Sequence, residues 1–168
     1  RRFYRVFISR GIVVFGSIVI IIFIITAAFG PLFAPYQPND TQLDQILKEP
    51  SREHLLGTDN YGRDVLSRLI YGSGNSLMVG IVALAIAAII GMILGMTAGY
   101  FGGWLNTIIM RFVDALMAFP MILLAMFISA LLGGGLKNIM IAIGIAMIPG
   151  YARLMCGLAL SAKEADYV

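Results

Sequence analysis

No Asp, Glu, Lys or Arg stands between Arg10 and Asp40, between Arg68 and Arg111, between Asp114 and Lys137, or between Lys137 and Arg153. Gaps of this length constrain the fold more than any other feature. About 20 helical residues cross a hydrocarbon layer of ~30 Å, and in lipid every backbone polar group must be satisfied within its own segment, so each gap reads as a membrane helix. The expected class is an all-α integral membrane protein with four transmembrane helices near residues 11–29, 76–99, 113–133 and 138–158. Composition agrees: 60% of the chain is apolar, 12% is charged, and the mean hydropathy is +0.90, which excludes an ordinary soluble domain.

Arg1, Arg2, Arg5 and Arg10 precede the first gap, and basic residues beside helix ends stay on the cytoplasmic side. The chain is therefore expected to start inside. Residues 31–75 then lie outside, 100–111 inside, 133–137 outside, and the chain from Arg153 inside. A signal peptide would share this opening, but Ile12 to Phe29 is longer than a signal core of about 7–15 residues, and Pro31 follows it. The expected parts are 1–30, the cytoplasmic start and first helix; 31–75, an external segment; 76–158, three further helices; and 159–168, a cytoplasmic tail.

Within the external segment, Val65, Leu66, Leu69 and Ile70 recur at helical spacing, which predicts a short amphipathic helix on the membrane surface. Ala83, Ala87, Gly91, Gly95 and Gly99 share one face of the second crossing, a row that admits close helix packing. Arg111 and Asp114, three residues apart, are expected to pair where the third helix enters the lipid. Pro120 and Pro149 each remove a backbone donor and predict bends in the third and fourth helices. The last gap is too short to span alone, so its helix must continue past Arg153, whose head would snorkel to the headgroups.

Chemistry is sparse. His54 has no second histidine or cysteine at ligand spacing, the ten methionines form no repeating pair, and no metal site is expected. Cys156 has no partner for an internal disulfide and reads as a small buried hydrophobe. No phosphate loop is present: the glycines at 133–135 before Lys137 lack its spacing, so this chain is not expected to hydrolyse ATP. No catalytic residues are expected, no nucleic-acid surface is visible, and transporter, channel and scaffold remain open.

The run from His54 to Gly72, HLLGTDNYGRDVLSRLIYG, resembles the signature before the second helix in the C-type permease subunits of bacterial dipeptide, oligopeptide and nickel ATP-binding cassette importers. FAPY at 33–36, GYFGGW at 99–104, MRFVD at 110–114 with Pro120, and KEADYV at 163–168 resemble the same family in the same order. The resemblance implies the amino-terminal portion of a six-helix permease of the bacterial inner membrane. It also implies a second homologous permease subunit as heterodimer partner, two ATPase subunits carrying ATP and Mg, and an external solute-binding protein, with no cofactor bound by this chain. Lys163, Glu164, Ala165, Asp166, Tyr167 and Val168 resemble the start of the cytoplasmic EAA loop that couples to the ATPase. Asp59, Arg63, Asp64 and Arg68 are expected to meet the binding protein or cap the pathway. Gly74 or Asn75 stands where many relatives carry an arginine before Ser76-Leu77, so that outer-surface charge is missing here. The substrate expected is a dipeptide or oligopeptide, with nickel or glutathione as alternatives. A non-transporting scaffold and an ion-gradient carrier are the rivals from other classes.

Overall fold

The computed structural model describes residues 11–163. The coupling residues Glu164, Ala165, Asp166, Tyr167 and Val168 and the four leading arginines lie outside them. The described elements are helices: α1 (Gly11–Phe33), a 3-10 turn (Leu43–Gln45), α2 (Val65–Phe101), α3 (Gly103–Met117), α4 (Met121–Leu132) and α5 (Leu136–Lys163). The chain forms two compact units that meet in sequence at Met78 and Val79.

In the first unit, α1 keeps its few hydroxyls occupied. Ser17 Oγ donates to Val13 O at 2.7 Å and Thr26 Oγ1 to Ile22 O at 2.8 Å, so neither presents a bare polar group to lipid. The helix runs past the expected end at 29 and includes Pro31. Pro31 has no N–H to offer the carbonyl one turn back, Ala27 O, and it is against this carbonyl that α2 brings Gly74, whose built Cβ would stand 3.1 Å away. One turn on, Gly30 lies against Ile70, so the end of α1 and the start of α2 run antiparallel with the 34–64 segment closing them at one end.

The amphipathic stretch at 65–70 is not a separate surface helix. It forms the first turns of α2, one continuous helix of 37 residues and about 55 Å. That length exceeds a hydrocarbon core of ~30 Å. The apolar spacing of Val65 and Leu66 was a true helix signal, with the boundary placed too late.

In the second unit, Gly144 of α5 packs at the level of Ala83 and Ile86, Gly91 at Ile148 and Tyr151, and Gly99 at Cys156 and Ala159. Position numbers rise together, so α2 and α5 run side by side in the same direction. The chain between them has to travel back along their length, and α3 with α4 is the only segment available to do so. This pair is bent by 91° and passes the length and apolarity test for a membrane span only when its two halves are taken together, whereas α1, α2 and α5 pass it singly. The third crossing is thus broken rather than a single helix over 113–133. Proline disfavours helical backbone in the residue before it and offers no N–H, so α3 stops at Met117 and Pro120 starts α4.

The turn into α5 uses Gly133 at φ +86° and Gly135 at φ +116°. Asn138 Nδ2 donates to the carbonyls of Leu132 at 2.7 Å, Gly133 at 3.2 Å and Gly134 at 3.3 Å, which caps the end of α4. Pro149 does not interrupt α5, which runs unbroken for 28 residues. A topology reporter checks the crossing argument: fused after Lys163 in the full-length protein, it is expected on the same side as one placed at Gly102 and opposite one placed at Asn60. Reporters at Gly102 and Lys163 on opposite sides would mean that α3 and α4 dip in and return.

Candidate functional site

Two places in the fold concentrate polar chemistry. The first lies in the 34–64 segment and the start of α2. Asp64 directly precedes α2 and is 3% exposed, and its Oδ2 accepts the Ser67 N–H at 2.7 Å, which makes it the N-cap of the helix. Its Oδ1 is 3.0 Å from Nδ1 of the buried His54. Because an ionised carboxylate can only accept, Nδ1 carries the proton of this bond. Burial pushes the Asp64 carboxyl up, but the Ser67 N–H and hydroxyl together with His54 outweigh it and hold the carboxyl below its ordinary 3.8.

The network continues outward. Ser67 Oγ accepts the Tyr36 N–H at 3.1 Å, the Tyr36 hydroxyl donates to Glu53 O at 3.1 Å, and the Tyr36 and His54 rings lie 4.9 Å apart. Residues 36, 53, 54, 64 and 67 are thereby tied to one helix start. Two glycines make the turns possible: Gly57 sits at φ +73° with its built Cβ 2.5 Å from Lys48 O, and Gly62 at φ +70° with its Cβ position overlapping Gln42 O.

Beside it, Asp59 holds two arginines. Its Oδ2 is 2.7 Å from Arg63 Nη2 and 2.9 Å from Arg68 Nη1, and its Oδ1 accepts the N–H groups of Tyr61 and Arg63 at 2.9 and 3.0 Å. The Arg63 guanidinium, aided by these N–H groups, holds the Asp59 carboxyl far below the usual carboxylate range. Arg63 also covers the Tyr61 ring, 4.6 Å from its centroid. Of the four residues expected to meet a binding protein, Asp59, Arg63 and Arg68 form this partly exposed cluster. Asp64 does not belong with them, because its carboxylate is spent inside on His54 and Ser67.

Both carboxyls titrate below 3.8 in the folded chain, so the stability they add is complete above that value and disappears only as pH falls through their lowered folded values. Protease resistance of the 34–64 segment is therefore expected to stay flat from neutrality down to about pH 4 and to decline only in stronger acid. A loss between pH 7 and 5 would mean that a group other than these two carboxylates limits the hold on the segment.

The second place is the seam between α2 and α5. Ala83 and Ala87 are buried, and the glycines of the row take the backbone of α5 directly. A Cβ built on Gly91 would stand 2.6 Å from Tyr151 Cβ, one on Gly99 2.6 Å from Ala159 Cβ, and one on Gly95 would overlap Ala152 O. The same seam continues upward at Gly144, whose Cβ would stand 2.9 Å from Ile86 Cβ.

Polar contacts tie the far end of α5 to α3 and to the end of α2. Asp114 pairs with Arg153 of α5, and among the described residues its ion-pair partner is not Arg111. Spacing of three residues made Arg111 available, but the fold delivers Arg153 from 39 residues away, and Arg153 turns to Asp114 instead of reaching alone for the headgroups. Asn106 Nδ2 donates to Ala98 O at 3.1 Å and to Cys156 Sγ at 3.3 Å, and Lys163 Nζ donates to Tyr100 O at 3.3 Å. Reading the sequence missed Asn106. An amide in an otherwise apolar stretch was the available signal.

Two apolar clefts of about 640 and 560 Å³ lie along α5, the larger against the bend at Phe119, Pro120 and Met121, the smaller against Ile122 and Met126 of α4. Neither is lined by a charged side chain.

Residues 91–168 match the family described as binding-protein-dependent transport system inner membrane component, and residues 1–50 match the N-terminal TM domain of oligopeptide transport permease C. The chain is 39% identical over 160 residues to a dipeptide transport system permease protein from Alkalihalophilus pseudofirmus, covering 95% of this chain and 53% of that protein. It is 38% identical over 169 residues to a glutathione transport system permease protein from Pectobacterium atrosepticum, covering 100% and 56%. To the glutathione permease protein of Escherichia coli it is 41% identical over 167 residues, covering 99% and 55%. The chain thus spans about half the length of the curated relatives it matches.

Proposed function

We propose, from the match of residues 91–168 to the binding-protein-dependent inner-membrane transport components, that the whole protein is one permease subunit of an ATP-driven importer of short peptides. Likeness across nearly the full chain to permeases named for a dipeptide and for glutathione carries the reading, since both solutes are small peptides. Nickel and a pure scaffold become outcomes of the test. An ion-gradient carrier likewise becomes an outcome of the test, read as uptake that needs no ATP.

In this reading a second homologous permease completes the pathway, two ATPase subunits bind and hydrolyse ATP with Mg, and an external binding protein delivers the solute. This chain contributes walls and motion, and the chemistry of hydrolysis belongs to its partners. The chain starts inside, residues 34–64 lie outside, and α5 ends inside, leading at Lys163 into the segment that docks on the ATPase. ATP binding favours one of two pathway shapes because ATPase closure is linked to it through that segment. The Asp59, Arg63 and Arg68 cluster faces the binding protein's side.

The reading is tested by reconstituting the full-length protein with its neighbouring permease, ATPases and binding protein, and measuring ATP-dependent uptake of a labelled dipeptide, with glutathione and nickel alongside. Peptide uptake supports it. Uptake of nickel alone keeps the importer and overturns the substrate, and a purified complex with neither uptake nor ATPase leaves the scaffold.

A further inference from the structure

Three polar contacts fall in order along the last part of α5: Arg153 on Asp114, Cys156 on Asn106, and Lys163 on the Tyr100 carbonyl. They span ten residues of α5, about 15 Å, and their partners descend α3 and the end of α2 in the opposite order. The corner between two of those partners, Tyr100 and Asn106, is a fixed bend. Gly102 and Gly103 take φ +65° and +52°, and the Asn106 N–H closes on Gly102 O at 3.1 Å.

The same stretch of α5 rests on Gly91, Gly95 and Gly99, with Cys156 against both Gly95 and Gly99. Small residues allow close approach but make no directional bond, so the directional contacts on this stretch of α5 are the polar ones. Two ionised side chains beside the lipid are costly unless paired, and a neutral, well-packed pair would cost less. What the ion pair adds is a direction, fixing the rotation of α5 against α3.

We propose that Asp114 and Arg153, with Asn106 and Lys163 below them, are positioning residues that lock the end of α5 to α3 and to the end of α2, so that a push on the segment after Lys163 moves α5, α3 and the end of α2 as one body. The inference rests on the importer reading above and deepens it. A helix end held at three points transmits force to the pathway, whereas a helix end that turns in its seat dissipates it. ATP is then consumed without transport.

The test uses the full-length permease in its reconstituted complex and reads ATP consumed per labelled dipeptide taken up, with glutathione alongside. Asp114→Arg and Arg153→Asp are each expected to raise that ratio at least tenfold. The double variant, which restores the pair in reverse, is expected to return within about threefold of the unmodified complex. Should a charge-reversed chain fail to accumulate, Asp114→Asn with Arg153→Gln removes the pair without repulsion and is expected to raise the ratio at least threefold. A double reversal no better coupled than the single variants, or a neutral pair coupled as well as the unmodified chain, overturns the proposal. If the unmodified complex takes up none of the offered solutes, the importer reading itself falls and takes the proposal with it.

Discussion

Replacing Gly95 by leucine is expected to cut the amount of folded permease in the membrane at least tenfold, a loss of ~1.4 kcal/mol or more. The first added carbon already overlaps Ala152 O, and Met155 Cβ and Cys156 N stand 2.8 and 2.9 Å from it. Two of these three neighbours are backbone, which cannot rotate away, so the helices must separate. Overpacking of tight interiors costs about 1–3 kcal/mol when side chains can adjust, and here most of the contact cannot. Parting the helices also lifts Gly91 and Gly99 from their seats. Gly80→Leu is the control, because a Cβ built there meets nothing within 4 Å and the change raises helix propensity by about 1 kcal/mol. Protein recovered in folded, detergent-resistant form decides between them. Equal recovery of the two variants would mean that the α2–α5 seam does not hold the unit together.

Asp64→Ala is expected to release the 34–64 segment from the start of α2, at a cost of about 3 kcal/mol. An N-cap is worth about 1 kcal/mol, and breaking a buried pair by deleting one partner costs several kcal/mol when the other stays buried. His54, 4% exposed, would keep its ring inside with no acceptor for Nδ1, and the Ser67 N–H would lose its cap. Asp64→Asn keeps an oxygen and caps as well as aspartate, so it is expected to lose only about 1 kcal/mol. Thermal unfolding in detergent, read by proteolysis between residues 34 and 64, separates the two. Similar midpoints for both variants would remove Asp64 from the account of how the segment is held.

The charge gaps alone disclosed the membrane class, because a free-energy penalty of this size leaves a plain mark on composition. Helix ends were harder. Val65 to Ile70 alternates charged and apolar faces while Ser76 onward is apolar all round, and a change of pattern was read as a change of element where one helix simply leaves the lipid. Pro120 by itself predicts a bend inside one helix, and neither its neighbours nor its spacing discloses a turn of 91°. Asp64 did carry a legible sign, an acidic residue immediately before a helical run, which is where caps stand. Its charge drew it into a surface cluster instead. Asp114 shows the limit of local reading, since Arg111 and Arg153 are both arginines and only the fold brings the second one near. Ser67 and Tyr36, 31 residues apart, gave no sign of meeting.

The parallel course of α2 and α5 has a consequence for synthesis. Gly91 leaves the ribosome roughly sixty residues ahead of Tyr151 and Ala152, the residues it will rest on. At about 5–20 residues per second, that is a wait of some 3–12 seconds. Throughout it the groove of glycines has no helix to fill it, and lipid tails or the insertion machinery must line it until α3 and α4 have turned the chain round. The nascent permease is therefore most exposed to wrong helix pairing after its second helix is complete and before its last described one is made.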